Sequence, residues 1–492
     1  MLFNSYIFVL LYLSLVLIGY FGLNHFKQYK PAMVFLVGMS CWFCGYQNLY
    51  YLVILLVSIA VNYLIYHFMT RIKREPKTAT DARKMLLAAG ILMNVGLLFV
   101  CKYYDFFIAN LNVALKTNIP FLEILLPLGI SFYTFAQIAF LVDAYRGECN
   151  DYSILEYTAY VTFFPKLIQG PIAYHSELIS QFRDAQKKQI NYANMSKGIY
   201  AFALGLAKKV LIADTLAKIV NVGYGEIGQL NSNSVMLVMI SYSLQIYFDF
   251  SGYCDMALGM SRMLNIELPI NFSSPYKAES ISDFWDRWHM TLTRFFTKYI
   301  YIPLGGSRKG RLRTYANVMI VFLVSGFWHG ANWTFVIWGV LNGLFIVVEK
   351  IVKYSEWKLP KFIKVTGAFI VTTFAWSIFR ASSFGDLQLL WQQLFTGGIG
   401  PVFLSITEEI QALLEVSVLY RVGFGTIIGN YPGFFLAILI GLLLFACFFM
   451  ANTQEKVQKL KLTTGKLITV VGLLFWSIMS LAEISEFLYV NF

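Results

Sequence analysis

Charge is what this chain has least of: 13% of its 492 residues are Asp, Glu, Lys or Arg, about half the share of an ordinary globular protein. A soluble surface cannot be covered at that level, and the 58% of hydrophobic residues must find another solvent. The chain therefore reads as an all-α polytopic membrane protein. Cysteine is sparse too. The six, at 41, 44, 101, 149, 254 and 447, are scattered and lie mostly inside apolar stretches, which indicates neither a disulfide framework nor a metal site. Also missing is a secretory leader: the first apolar run has no basic start and no small-residue cleavage site, so it reads as a retained helix. No internal repeat and no soluble domain can be found. The motifs G-x-S-x-G and H-E-x-x-H, the P-loop and the Rossmann fingerprint do not occur in a suitable context, so a soluble-type catalytic triad is unsupported.

What charge there is carries information. The net charge of +12 could suggest nucleic acid, but Lys and Arg fall in short runs between apolar segments, the pattern of loops on the cytoplasmic side of a membrane. No nucleic-acid partner is expected. The 31 Tyr and 10 Trp suit interfacial belts as well as packed spans. Apolar segments near 5–23, 31–46, 49–69 and 86–107 read as four crossings, and the basic run 71–84 marks the inside. A polar span over 121–142 returns to Arg146. The stretch 157–172, broken by Pro165, Lys166, Gly170 and Pro171, reads as a re-entrant element, since non-helical backbone at membrane depth survives only where protein or water covers it. Crossings at 198–222 and 235–264 follow. Ile281 to Ile302 patterns as one amphipathic interfacial helix, with Trp285, Trp288, His289, Leu292 and Phe296 on one stripe and Arg287, Thr291, Arg294 and Lys298 on another. Crossings near 362–381, 432–452 and 467–489 finish the chain, separated by a long external loop over 384–430, and the C-terminus is expected outside. A single membrane unit over 1–492 is expected: N-terminal helices to 120, a core over 121–348 and C-terminal helices over 349–492.

The stretch S-G-F-W-H-G-A-N-W from Ser325 to Trp333 places an imidazole deep in an apolar run. The apolar halves on either side total some 34 residues, which as one straight helix would reach ~51 Å, well beyond a ~30 Å hydrocarbon core. The run must break, and Gly326 and Gly330 mark where. With basic loops before and after it, residues 315–348 enter and leave by one face as a buried re-entrant pair, with His329 near the apex. An ionisable residue at such depth points to function. With an unperturbed pKa near 6.5, histidine can take a proton from a hydroxyl or thiol and return it to a leaving group, the core task of acyl transfer. His289 is the second such histidine. His25 and His67 lie near segment ends, and His175 follows a turn. For Asp249 and Asp255 two readings stand level: a polar lining that orients an imidazole, or intramembrane salt bridges.

The blocks F-W-D-R-W-H-M-T-L (284–292), Y-I-P-L-G-G (301–306) and G-F-W-H-G-A-N-W-T-F-V-I-W-G (326–339) resemble the membrane-bound O-acyltransferase family, in its bacterial alginate O-acetylation branch. P-L-G-I-S-F-Y-T-F (127–135), F-F-P-K-L-I-Q-G-P-I (163–172) and D-F-S-G-Y-C-D-M-A-L-G (249–259) fit the same branch, so the likeness covers roughly residues 125–345. It departs from the branch at Asn342, where a histidine often stands. The resemblance implies a helical bundle with re-entrant helices, a cytoplasmic entrance for an acyl thioester and a central tunnel with a histidine at its waist. By motif, His329 is the catalytic histidine and His289 its companion. Trp285, Trp288, Trp328 and Asn332, with Asp249, Asp255 and Gln137, are the candidate lining, and Arg287, Arg294 and Lys298 a basic approach for acetyl-CoA as donor. No tightly bound cofactor is implied.

The expected activity is therefore transfer of an acyl group, acetyl foremost, across the bacterial cytoplasmic membrane to an extracellular or cell-wall polysaccharide, with an extracytoplasmic acyltransferase as partner. Two alternatives remain: D-alanyl transfer from a carrier protein to teichoic acid, and a transporter or channel in which the histidines relay protons.

Overall fold

The computed structural model describes all residues except 73–76, 150, 414–415, 418–419, 482–486 and 489–492; part of the basic run 71–84 and most of the final E-F-L-Y-V-N-F lie outside the described residues. Among the described residues every regular element is helical. Among these described residues, seven helices are long and apolar enough to cross a membrane: Ile7–His25, Leu49–Arg71, Asp81–Leu115, Ser232–Met263, Trp333–Ile351, Lys361–Arg380 and Pro432–Phe449. Their outward faces are lipid-like, as Ile18, Leu92, Phe362 and Leu442 illustrate, each more than 60% exposed. The molecule is an all-α polytopic membrane protein.

Ser232–Met263 is the helix on which the rest is hung. Asn231 caps it by accepting from the Ser234 N–H at 2.9 Å. Its 32 residues run ~48 Å, and nearly all of its second half is buried. One core, built from the N-terminal helices, reaches it through Tyr253 and Met256. Another, built from the C-terminal half, reaches it through Tyr242 to Phe250. Tyr192–Ala207 packs antiparallel along it at the closest distance two backbones allow. A Cβ on Gly205 would come within 2.6 Å of the Gly252 carbonyl oxygen, and one on Gly259 within 2.6 Å of that of Gly198. Small residues at such contacts are how helices associate where lipid gives no hydrophobic drive.

Four expectations change. The span over 121–142 begins as a helix only at Ile130, because Pro120 and Pro127 remove donors and bias their predecessors away from helix. The region 384–430 is no plain loop: it holds the helices Phe384–Thr396, Leu404–Gln411 and Gly425–Asn430. The last crossing stops at Met479. Beyond it the chain returns to the core, where the Leu488 N–H donates to Asp249 Oδ2 at 3.1 Å and the Lys209 ammonium lies 4.5 Å from the Phe487 ring centre. Ile281 to Ile302 is not one surface helix either. Ile281–Arg287 and Met290–Phe296 are separate turns joined by Trp288 and His289, both buried.

Candidate active site

His329 ends the helix Arg311–His329, and Trp333–Ile351 runs back beside it. Each helix has 19 residues, about 28 Å, so each is long enough to span the bilayer. The pair forms a hairpin, but contrary to expectation it is not wholly buried: Leu323, Phe327, Ile337 and Leu344 stay exposed. The hairpin closes tightly because Gly326 faces Gly339. A Cβ on Gly339 would lie 2.4 Å from the Phe322 carbonyl oxygen, and one on Gly326 would lie 2.5 Å from that of Phe335. Asn332 caps the second helix, accepting from the Thr334 N–H at 3.1 Å, and its amide donates to the Ser382 carbonyl at 2.9 Å. Its role is to fix the turn after His329.

The His329 ring sits in an aromatic box. Its centroid is 4.8 Å from Trp328, 5.1 Å from Trp338 and 5.3 Å from Phe379. Behind these, Trp338 stacks on Trp376, which touches Trp288, while Trp285 donates its indole N–H to Asn342 Oδ1 at 3.2 Å. Asn342 thus holds a wall of the site. Trp285 and Trp288 form part of this packing, one shell out from the imidazole.

A half-buried lysine, absent from the sequence-based candidates, holds the end of the His329 helix. Lys102 Nζ donates to the carbonyl oxygens of Trp328 at 2.7 Å and His329 at 3.1 Å, and the Tyr103 hydroxyl adds a bond to Trp328 at 3.3 Å. Lys102 is aimed there by a π-helical turn, Phe99–Tyr103, within the helix from Asp81 to Leu115. Such turns are frequent at functional sites. The lone charge in the apolar run F-V-C-K-Y was a signal to heed.

His289 is positioned by strain and by one amide. Its φ of +46° is left-handed, an unfavourable conformation for a residue with a side chain, costing about 1–3 kcal/mol. The flanking backbone holds it there: Ser273 N–H donates to Arg287 O and Met290 N–H to Asn271 O, each at 3.0 Å. Asn271 Oδ1 accepts from the Thr291 N–H at 3.2 Å and from the Thr291 hydroxyl at 2.9 Å, and it lies 3.1 Å from His289 Nδ1. An amide oxygen only accepts, so Nδ1 carries the proton and Nε2 the lone pair. Among the described residues Nε2 has no hydrogen-bond partner. Nothing in the sequence around Asn271 announced this role.

The two imidazoles share one wall. The Trp328 ring lies 6.1 Å from His289 and 4.8 Å from His329, so the histidines are within about 11 Å of each other, the sum of those separations. A cleft of about 560 Å³ opens next to the His289 segment. It is lined by Met290 and Thr291, the two residues after that histidine, and by Tyr174, Arg294 and Lys298. Lys298 pairs with Glu148 at 2.9 Å and Asp143 at 3.0 Å. Burial disfavours its charge, but those carboxylates outweigh that and hold its pKa above the ordinary range. Arg294 bonds to Glu177 and to the Ile172 carbonyl.

Other candidates lie elsewhere. Asp249 faces Lys209 at 2.8 Å and Asp255 faces Lys208 at 2.7 Å, so these carboxylates serve buried ion pairs and not the imidazoles. Gln137 donates to Ser58 Oγ at 3.0 Å and accepts from Tyr157 at 3.2 Å, joining N-terminal helices. Arg287 pairs with Asp283 within its own helix and does not line the cleft. His175, expected to be unremarkable, lies buried 3.3 Å from Asp143.

A helical membrane protein with two buried histidines joined by one tryptophan, and a cleft with a basic rim beside one of them, has the makings of a membrane-embedded group-transfer enzyme. The chain belongs to the membrane-bound O-acyltransferase family, whose model matches residues 13–380. It is an acyltransferase of the O-acetylation branch. It is 35% identical, over all of its own length and 98% of the relative's, to the peptidoglycan O-acetyltransferase of Helicobacter pylori. It is 32% identical to a probable alginate O-acetylase of Pseudomonas aeruginosa, across 80% of this chain and 74% of the relative. A teichoic acid D-alanyltransferase of Bacillus subtilis is 28% identical, across 50% of this chain and 65% of the relative.

Proposed function

We propose that the protein transfers an acetyl group from acetyl-CoA, entering from the cytoplasm, towards a cell-wall or extracellular polysaccharide. The observation that carries this reading is that Trp328 joins His289 to His329, while the two residues that follow His289 line the cleft. Arg294 and Lys298 at the rim suit the phosphates of the donor, and the apolar box around His329 suits an acetyl group and excludes water. His329 accepts the proton of the attacking hydroxyl as oxygen bonds to the thioester carbonyl carbon. The carbon–sulfur bond then breaks, and the proton passes to the leaving thiolate. His289, with its lone pair at Nε2, aligns the donor end of this path. Full-length similarity to a peptidoglycan O-acetyltransferase favours a cell-wall glycan as the final acceptor, reached directly or through an extracytoplasmic acyltransferase, in a bacterial plasma membrane.

The test is reconstitution of the purified protein in proteoliposomes with labelled acetyl-CoA on the cleft side and glycan on the other. Label on the glycan with release of free CoA supports the proposal. Consumption of a D-alanyl carrier in its place, or flux of an intact thioester, would establish one of the competing activities.

A further inference from the structure

A second cleft, of about 250 Å³, lies between the core and the C-terminal helices, remote in the chain from both histidines. The two helices that flank it, Pro432–Phe449 and Thr464–Met479, pack on different partners, the first on Gly425–Asn430, Pro275–Lys277, Ser232–Met263 and Leu404–Gln411, the second mainly on Tyr192–Ala207. A groove is left between them. Its polar end is formed by the linker that joins them, with Asn452, Thr453 and Lys456, together with Lys208. Leu443 and Leu473 line it further along the two helices. Leu443 is six residues from the end of its helix and Leu473 nine from the start of the other, roughly 9 and 14 Å away from the linker at 1.5 Å per residue. Beside the groove, Leu442, Phe445, Ile468 and Phe475 present a lipid-facing surface.

The charges at the polar end are unequal. Lys208 is paired with Asp255 at 2.7 Å. Lys456, half-buried, has no carboxylate partner among the described residues. Burial first, then the charges of Lys208 and Lys466, push its pKa below the ordinary range. An anion placed there relieves both effects. The apolar length that continues from this cationic end decides which anion fits.

We propose that this cleft holds an anionic phospholipid, its phosphate against Lys456 and Lys208 and one acyl chain between Leu443 and Leu473. The lipid would join two helices that scarcely touch each other to the core. This rests on the groove alone and is independent of the transfer chemistry.

The experiment uses the purified full-length chain in detergent with equimolar phosphatidylglycerol and phosphatidylcholine, read by native mass spectrometry. Wild type is expected to retain phosphatidylglycerol several-fold over phosphatidylcholine. Lys456→Gln abolishes that preference, and Ala446→Trp, which fills the apolar part without altering charge, lowers retention of both lipids. Thermal stability rises with phosphatidylglycerol and not with inorganic phosphate. Equal retention of the two lipids by wild type, undiminished phosphatidylglycerol in both variants, or equal stabilisation by inorganic phosphate would each overturn the proposal.

Discussion

Lys102 and His329 meet side chain to main chain: the half-buried lysine's ammonium donates to the His329 carbonyl at 3.1 Å while reaching that of Trp328 at 2.7 Å. A helix end leaves its last carbonyls without partners, and a cation there complements the helix dipole. Both needs are greatest inside a membrane, where no water can serve them.

Lys102→Met is accordingly expected to lower the transfer rate about 100-fold, the cost of a misplacement on the order of 1 Å at a reacting group, with little change in donor KM. Lys102→Arg should recover part of the loss. Steady-state kinetics on both variants checks this, and an unchanged rate in Lys102→Met shows that the contact does not position the imidazole.

Asn271→Leu removes the acceptor that keeps the His289 proton on Nδ1. Transfer is expected to fall roughly 10- to 100-fold, as when an orienting partner of a functional histidine is lost, and Asn271→Asp, which keeps an acceptor oxygen, should be milder. Activity of the two variants at matched folded amounts decides it.

Asp249 belongs to stability. Lys209→Met leaves both of its carboxylate partners, Asp249 and Asp214, uncompensated and should cost about 3–5 kcal/mol, seen as a lowered melting temperature in detergent. The double change Lys209→Met with Asp249→Leu should regain much of the loss, and a double variant no more stable than the single would count against the ion pair as its cause.

Gly339→Ala forces a methyl within 2.4 Å of the Phe322 carbonyl. The helices must part, so both melting temperature and transfer rate should drop. Gly367→Ala, where a Cβ meets nothing within 4 Å, is the matched control and should leave both unchanged.

Arg294→Gln and Lys298→Gln should raise donor KM several-fold with a smaller effect on kcat. The rise should shrink as ionic strength increases, because exposed charges are screened over about 10 Å at 0.1 M salt. Titrating acetyl-CoA at two salt concentrations measures it.

Much of this was legible in the residues. Hydrophobic length marked most spans, and the excess length across 315–348 foretold the break beside His329, because a span can be only so long. Broken backbone at Pro165 and Gly170 was visible for the same reason. What escaped was set by contacts between distant segments. The period of Ile281 to Ile302 fits one helix, but the left-handed His289 interrupts it for the sake of Asn271, Phe250 and Trp328. Lys208 and Lys209 fall in the middle of the 198–222 crossing, and they turn inward to Asp255 and Asp249 on the facing helix. Gln137 looked like a cavity wall, and it is a strut between helices. Polar residues in apolar runs were easy to find, whereas their partners depended on packing.

The central claim is that His329 performs the proton transfer of acyl exchange. The most direct measurement is single-turnover transfer from labelled acetyl-CoA by reconstituted wild type and His329→Gln, at equal bound donor. The account predicts unchanged donor binding and a transfer rate reduced by about 100- to 10,000-fold, the usual worth of a positioned acid–base group. Transfer by His329→Gln within a factor of two of wild type would contradict it.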